Sequence, residues 1–172
     1  AFTIFAFTSS DVFAYPNGIA GRTKKTSTQG CGSCHSQGTS ITGVITGPDS
    51  VIAGQTYTFT LTLTTTGGSG KYGVDIAAKT GTLAVISGQG LKVSGTELVQ
   101  SSAITWVSPK AITFSYTAPA VTGTDTLYAT VDRGYSGAWN WAPNKGIKVY
   151  SATGIISNEI PVKFSLSQNF PN

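Results

Sequence analysis

The stretch Thr56-Tyr-Thr-Phe-Thr-Leu-Thr-Leu-Thr-Thr65 decides the fold. Tyr57, Phe59, Leu61 and Leu63 alternate with Thr56, Thr58, Thr60, Thr62 and Thr64. Successive side chains of an extended chain point to opposite faces, so the run predicts a strand with one apolar face and one threonine ladder. Threonine is β-branched and suits a pleated, half-exposed surface. Working outward, Ile112, Phe114 and Tyr116 repeat the pattern, and Leu127, Ala129 and Val131 repeat it again. Turn-forming clusters separate the runs: Gly47-Pro48-Asp49-Ser50, Gly67-Gly68-Ser69-Gly70, Ala118-Pro119 and Gly134 to Gly137. No convincing amphipathic helix lies between them. Short alternating strands with regular turns predict an all-β sandwich of about seven to nine strands, spanning residues 40–157. Residues 15–39 are rich in Gly, Ser and Thr and predict an irregular lead-in.

The chain of 172 residues is long enough for one domain with a core and short appendages, not for two large ones. Only 10% of it is charged, against roughly 25% in an average globular protein, which points away from a cytosolic enzyme. The bases behind its net charge of +4 are scattered, and only Arg22, Lys24 and Lys25 cluster. Nucleic-acid binding wants a longer basic stripe and a motif, so it is not expected. Residues 1–14 are apolar, then small and polar, and end Val12-Phe13-Ala14. They read as the tail of a secretory signal, too short for a helix that spans a bilayer. A strand lent to a neighbouring subunit is the other physical use of such a segment. The expected destination is extracellular or the cell surface, with no membrane span.

Chemistry concentrates in Gly30-Cys31-Gly32-Ser33-Cys34-His35. It contains C-x-x-C-H, the signature of covalent c-type haem attachment. Two thiols add across the haem vinyl groups as thioethers, the two intervening residues let the chain turn between them, and the next imidazole reaches the iron. Small Gly32 and Ser33 ease that turn. Both cysteines and the only histidine of the chain fall inside the motif. Cys31 and Cys34 are the expected anchors of one haem c, and His35 is its expected proximal ligand. Three other uses of these residues stand beside that one. A C-x-x-C disulfide suits an oxidising compartment. Structural zinc wants four ligands, and only three are here. A thioredoxin-type pair wants a βαβ setting, which is absent.

The chain has no methionine and no second histidine, so neither His/Met nor bis-His ligation is available within it. The sixth position is then open or water-filled, taken by Lys, Tyr or an α-amino group, or filled by another molecule. Lys24 and Lys25 are near in sequence, but a lysine must lose its proton before it ligates. Aromatic residues cluster late, at Trp106, Tyr135, Trp139, Trp141 and Tyr150. Core packing accounts for such a cluster, and so does walling a cofactor. The expected haem surroundings are Tyr15, Arg22, Lys24, Lys25, Trp106, Trp139 and Trp141. Gly67-Gly-Ser-Gly-Lys71 lacks the spacing of a phosphate loop, and Tyr72 stands where a Ser or Thr would meet magnesium.

Two resemblances add to this reading. The order Tyr15-Pro-Asn-Gly-Ile-Ala-Gly21, Cys31-Gly-Ser-Cys-His35, Ile52-Ala-Gly-Gln-Thr-Tyr-Thr-Phe59 and Phe114-Ser-Tyr-Thr-Ala-Pro119 resembles the bacterial Reelin-like, choice-of-anchor domains. That resemblance implies an immunoglobulin-like β-sandwich on secreted, surface-associated proteins. Many members of that group carry a second histidine where this chain has Ala103-Ile-Thr-Trp106. The tail Leu166-Ser-Gln-Asn-Phe-Pro-Asn172 is similar to the opening of the C-terminal sorting domain of type IX secretion, which implies that residues 158–172 are a last strand and the start of a sorting linker. The expected function is therefore an extracellular monohaem c-type cytochrome for electron transfer, not an enzyme. Its expected partners are redox proteins or identical subunits, in a homo-oligomer or filament. A haem-free adhesion or matrix module, and a five-coordinate haem sensor or peroxidase-like protein, are the alternatives.

Overall fold

The computed structural model describes residues 15–67, 70–134 and 137–152. The signal-like segment 1–14 and the tail 158–172 lie outside the described residues, as does Tyr135. The chain is an immunoglobulin-like β-sandwich, as expected, made of two sheets.

One sheet holds β1 (Ile41–Thr46), β3 (Thr56–Thr65), β9 (Lys110–Thr117) and β5 (Thr82–Val85), in the order β1-β3-β9-β5. The alternating run that opened the reading is β3, and it lies between β1 and β9. Phe59 sits opposite Phe114 and Leu61 opposite Ile112, and all four are buried. On the other face Thr60 is paired with both Thr46 and Thr113. The Thr56 and Thr117 hydroxyls meet at 2.8 Å.

The second sheet runs β2 (Ser50–Ile52), β12 (Lys145–Tyr150), β10 (Gly123–Asp132), β4 (Gly70–Ala78), β7 (Glu97–Gln100) and β6 (Leu91–Ser94). Two short strands hang from it: β8 (Ile104–Trp106) on β4 and β11 (Trp139–Trp141) on β10. The described residues thus form twelve strands rather than seven to nine. The excess lies in β2, β8 and β11, three residues each, too short for alternation to register in a sequence.

The core lies between the sheets. Phe59 packs on the edge of Tyr116 with ring centroids 5.4 Å apart and faces Phe114 at 6.2 Å. A polar tie crosses from one sheet to the other. The Tyr116 hydroxyl donates to Asp125 Oδ2 at 2.8 Å, and the Thr80 and Gly81 amides donate to the same carboxylate. Burial alone pushes the Asp125 carboxyl up, but these hydrogen bonds outweigh it and hold the group below the usual carboxylate range.

One strand breaks the alternation, and that break positions the site. In β4 every residue from Tyr72 to Ala78 is buried, on both faces. Tyr72, Val74, Ile76 and Ala78 belong to the core. The opposite face, with Asp75, lies under the lead-in of residues 15–39. That segment has turns and a single isolated bridge, Gln37 to Trp139, and no strand of its own.

Replacing Phe114 by Ala should cost about 3–5 kcal/mol, the usual range for emptying a buried aromatic site. Val121→Ala, at a side chain 77% exposed, should stay within about 0.5 kcal/mol of wild type. Urea denaturation of the two variants measures the difference.

Candidate functional site

The lead-in is clamped to the sheet through its backbone. The Gly21 amide donates to Glu97 Oε2 at 2.5 Å, and the Arg22 amide donates to Asp75 Oδ2 at 2.6 Å. The Thr130 hydroxyl donates to the Arg22 carbonyl at 2.6 Å. Register explains the convergence, since Asp75 pairs with Thr130 on one side and with Val99 on the other.

Beyond the clamp the chain turns tightly. Thr23 is fully buried and its carbonyl accepts from the Ser27 amide at 2.9 Å. The Ser27 hydroxyl oxygen accepts from the Gly30 amide at 2.9 Å. Gly30 has φ +55°, a conformation that suits glycine. A Cβ there would also run into the rings of Trp139 and Trp141. The motif then closes one helical turn, with the Cys31 carbonyl accepting from the amides of Cys34 at 3.2 Å and His35 at 3.0 Å. Residues three and four apart on such a turn share one side, so Cys31, Cys34 and His35 all face one cleft.

The cleft is shallow and half-open, with about 80 Å³ of room inside it, well under the roughly 300–1,000 Å³ usual for small-molecule sites. Its floor is the outer face of the second sheet, with Gly73, Asp75, Thr130 and Asp132. Gly73 is paired opposite Asp132, and the Gln100 side chain packs over the place a side chain at 73 would take. Tyr15 and Arg22 stand at the rim.

The imidazole is held from two sides. Nδ1 lies 3.3 Å from the Gly137 carbonyl oxygen, and Nε2 lies 3.5 Å from Asp132 Oδ2. A proton on Nδ1 faces that carbonyl and one on Nε2 faces Asp132 Oδ2, so each contact is attractive only in the form of the ring that carries the proton there. Behind the loop Trp139 is buried, and its indole N–H donates to the His35 carbonyl at 3.0 Å. Its backbone amide donates to the Ser36 carbonyl and its carbonyl accepts from Gly38.

The thiols are not bonded to each other. Burial, helped by the Asp132 carboxylate and opposed by Arg22, pushes the Cys31 thiol up to about 12. Cys31 is therefore a neutral thiol at physiological pH and a poor nucleophile for thiol–disulfide exchange. A thioether carries no charge and meets no such penalty. Among the described residues no group of three or more His, Cys, Asp and Glu is arranged to hold a bare metal ion. Haem c brings four nitrogen ligands of its own and needs one imidazole, so the donor set fits that group.

The expected surroundings divide. Tyr15 and Arg22 line the cleft. Lys24 lies over the Trp141 ring, 5.6 Å from its centroid, and Lys25 is half-buried in the turn after Thr23, outside the cleft lining. Trp139 and Trp141 meet edge to face at 4.9 Å behind the loop, where they brace Gly30 rather than wall the cleft. The Trp106 backbone pairs with Gly70, and its side chain is outside the described set.

Sequence reasoning missed Asp75, Glu97 and Asp132. Asp75 and Asp132 each keep one oxygen, Oδ1, buried with no hydrogen-bond partner. Burial raises Asp75 to about 8 despite the Arg22 amide, and Glu97 adds to the rise. Burial raises Asp132 to about 6, opposed by His35. The available signal was a lone acid inside an apolar strand, Val74-Asp75-Ile76 and Val131-Asp132, where aspartate is a poor strand residue.

No protein-family model matches this chain, and no curated protein does. Among solved structures it is similar to the Reelin-N domain of F-spondin, at 16% identity over 78% of this chain and 94% of that one, with a TM-score of 0.47. It is also similar to the CARDB domain of a Pyrococcus furiosus protein, at 20% identity over 64% of this chain and 94% of that one, TM-score 0.45. A PKD domain of an M14-like peptidase from a Thermoplasmatales archaeon is 17% identical over 63% of this chain and 94% of that one, TM-score 0.43. No helix among the described residues is long and apolar enough to cross a membrane.

Asp75 gives a pH dependence with a definite sign. Its folded pKa of about 8 lies above its ordinary value of 3.8. The folded state therefore holds the proton more tightly, and Asp75 takes stability away as pH rises from about 4 to about 8. Asp75→Asn keeps an acceptor for the Arg22 amide and removes this titration. Urea midpoints of the haem-free protein measured across that window should fall less with pH in Asp75→Asn than in wild type.

Proposed function

We propose that this chain is an extracellular monohaem c-type cytochrome. Haem would be bonded through Cys31 and Cys34, with His35 as the proximal ligand. The observation that carries this reading is the imidazole. Its Nδ1 meets the Gly137 carbonyl while its Nε2 faces a cleft lined by two unbonded cysteines. A histidine that binds iron normally gives its other ring nitrogen to such a carbonyl, which fixes the tautomer and the ring orientation.

Bound haem would supply a one-electron iron couple tuned by axial ligation, hydrogen bonding and burial. The protein's own residues do the rest. The Trp139 indole and the Ser27 hydroxyl stiffen the loop, so the imidazole does not swing away. Arg22 at the rim offers a positive charge to the carboxylates of the group. Cys34 and Tyr15 are exposed, which keeps one edge of the cleft within reach of a redox partner. A single haem carries an electron only a short way, so a partner protein or identical subunits must approach that edge. Assembly into a homo-oligomer or filament is one way to arrange this.

Low charge content, the signal-like residues 1–14 and the sorting-like tail support an exported protein that works outside the cell or at its surface. The neutral, half-buried Cys31 disfavours a redox-active C-x-x-C pair, and a haem-free adhesion or matrix module with a C-x-x-C disulfide is the alternative reading.

Secretion of the chain from a host with haem c maturation should yield protein heavier by one haem, with a c-type pyridine haemochrome and colour retained on a denaturing gel. Cys31→Ser/Cys34→Ser should abolish the covalent retention. Wild-type protein with the mass of the bare polypeptide and no Soret band would remove the proposal.

A further inference from the structure

The clamp that holds the lead-in brings two buried acids together. Asp75 is 3% exposed and Glu97 5%. Asp75 pairs with Val99 across β4 and β7, so Glu97, two residues from Val99, is its diagonal neighbour on the same outward face. The adjacent amides of Gly21 and Arg22 take one carboxyl group each, and the two carboxyl groups come within hydrogen-bond reach of each other. Asp75 Oδ1 is buried and finds no donor in the surrounding protein.

The groups packed around the pair do not supply that donor. From the lead-in, Arg22 and the neutral Cys31 face Asp75. From β10 the Thr130 hydroxyl donates to the Arg22 carbonyl instead, and Asp132 adds a further acid whose contact is His35. From β7, Gln100 is used at both ends, its Oε1 accepting from the Val74 amide and its Nε2 donating to the Tyr15 carbonyl. Two carboxylates in contact and out of water do not both stay ionised at ordinary pH, and a proton held between them supplies the missing donor.

We propose that Asp75 and Glu97 share one proton, and that this proton latches the lead-in onto the second sheet. With it, one carboxyl group donates to the other and both keep their amides. Without it, two negative charges meet under the lead-in. That segment has no strand of its own, and the core between the sheets does not include it, so it is the part that yields. Loss of the proton frees the cysteine turn from the sheet while the sandwich stays folded. The inference does not rest on the haem reading.

The sign follows from linkage. The folded value for Asp75, about 8, stands above its ordinary 3.8. The closed lead-in holds a proton that an opened one gives up, so opening grows by up to about tenfold per pH unit across that window and levels off above it.

Hydrogen exchange of the full chain, read by mass spectrometry and corrected for the intrinsic effect of pH, compares peptides covering residues 18–30 with peptides covering β3. Protection of 18–30 should fall at least about tenfold between about pH 5.5 and about pH 8, while β3 stays level. Asp75→Asn, whose side-chain amide donates where the shared proton did, should keep 18–30 level as well. Glu97→Gln should shrink the fall, because the second charge is gone. At neutral pH wild type should show the infrared band of a protonated carboxyl, and Asp75→Asn should lack it. Circular dichroism confirms the fold of both variants. Level protection of 18–30 in wild type, a fall shared by β3, or the same fall in Asp75→Asn would overturn the latch.

Discussion

Two buried carboxylates gripping two backbone amides hold the site together. Glu97 and Asp75 accept from Gly21 and Arg22, and through those contacts an irregular segment becomes a wall laid against a sheet. Burying a charge is costly unless it is hydrogen-bonded. Here one cost offsets another, because the lead-in has no strand ladder to satisfy its own amides at these positions. The acids supply the missing acceptors and the amides supply the missing solvation. The balance is incomplete for Asp75, whose Oδ1 stays unpartnered and whose pKa is about 8. A site that keeps a buried acid short of hydrogen bonds trades stability for a polar floor.

The wall is stiff where chemistry needs it. The segment around the cysteines has few apolar contacts of its own, yet the turn from Cys31 to His35 is closed by its own backbone and buttressed by Trp139. A glycine at position 30 admits both tryptophan rings against the chain. Trp139 and Trp141 pack behind the loop, and Trp139 also lines an opening on that side beside His35. That packing fixes the loop, and the loop fixes the imidazole. Partial burial of Cys31 follows from the same packing. A thiolate at that place would be strongly disfavoured, while an uncharged thioether would not.

Much of this was legible in the sequence. Thr56 to Thr65 wrote its own strand, because one face meets the core and the other meets water, and alternation is the record of that difference. The C-x-x-C-H turn was equally legible, since its spacing is set by local geometry. The strand that forms the cleft floor was not. From Tyr72 to Ala78 it is covered on both faces, so no alternation marks which side carries Asp75. Asp132 ends a strand whose partner across the cleft is 97 residues away in the chain, at His35. Pairings of that kind are decided by register between distant strands, and no local pattern encodes them. The brief strands β2, β8 and β11 escaped for a plainer reason, since three residues are too few to show a period.

The division of faces explains where this architecture can carry a site. A sandwich spends the inner face of each sheet on its core, and both inner faces here are filled by large apolar side chains. A cofactor placed between the sheets would break that packing and lose several kcal/mol of it. Placing the site on the outer face of one sheet, under a separately clamped segment, leaves the core intact. The outward residues of β4 and β10 then serve the clamp and the cleft, while the inward ones serve the core. Gly73, Asp75, Thr130 and Asp132 are all of this outward kind, while their sequence neighbours Val74, Ala129 and Val131 belong to the core. The cleft therefore draws its polar residues from the outward positions of two strands whose inward positions hold the core together.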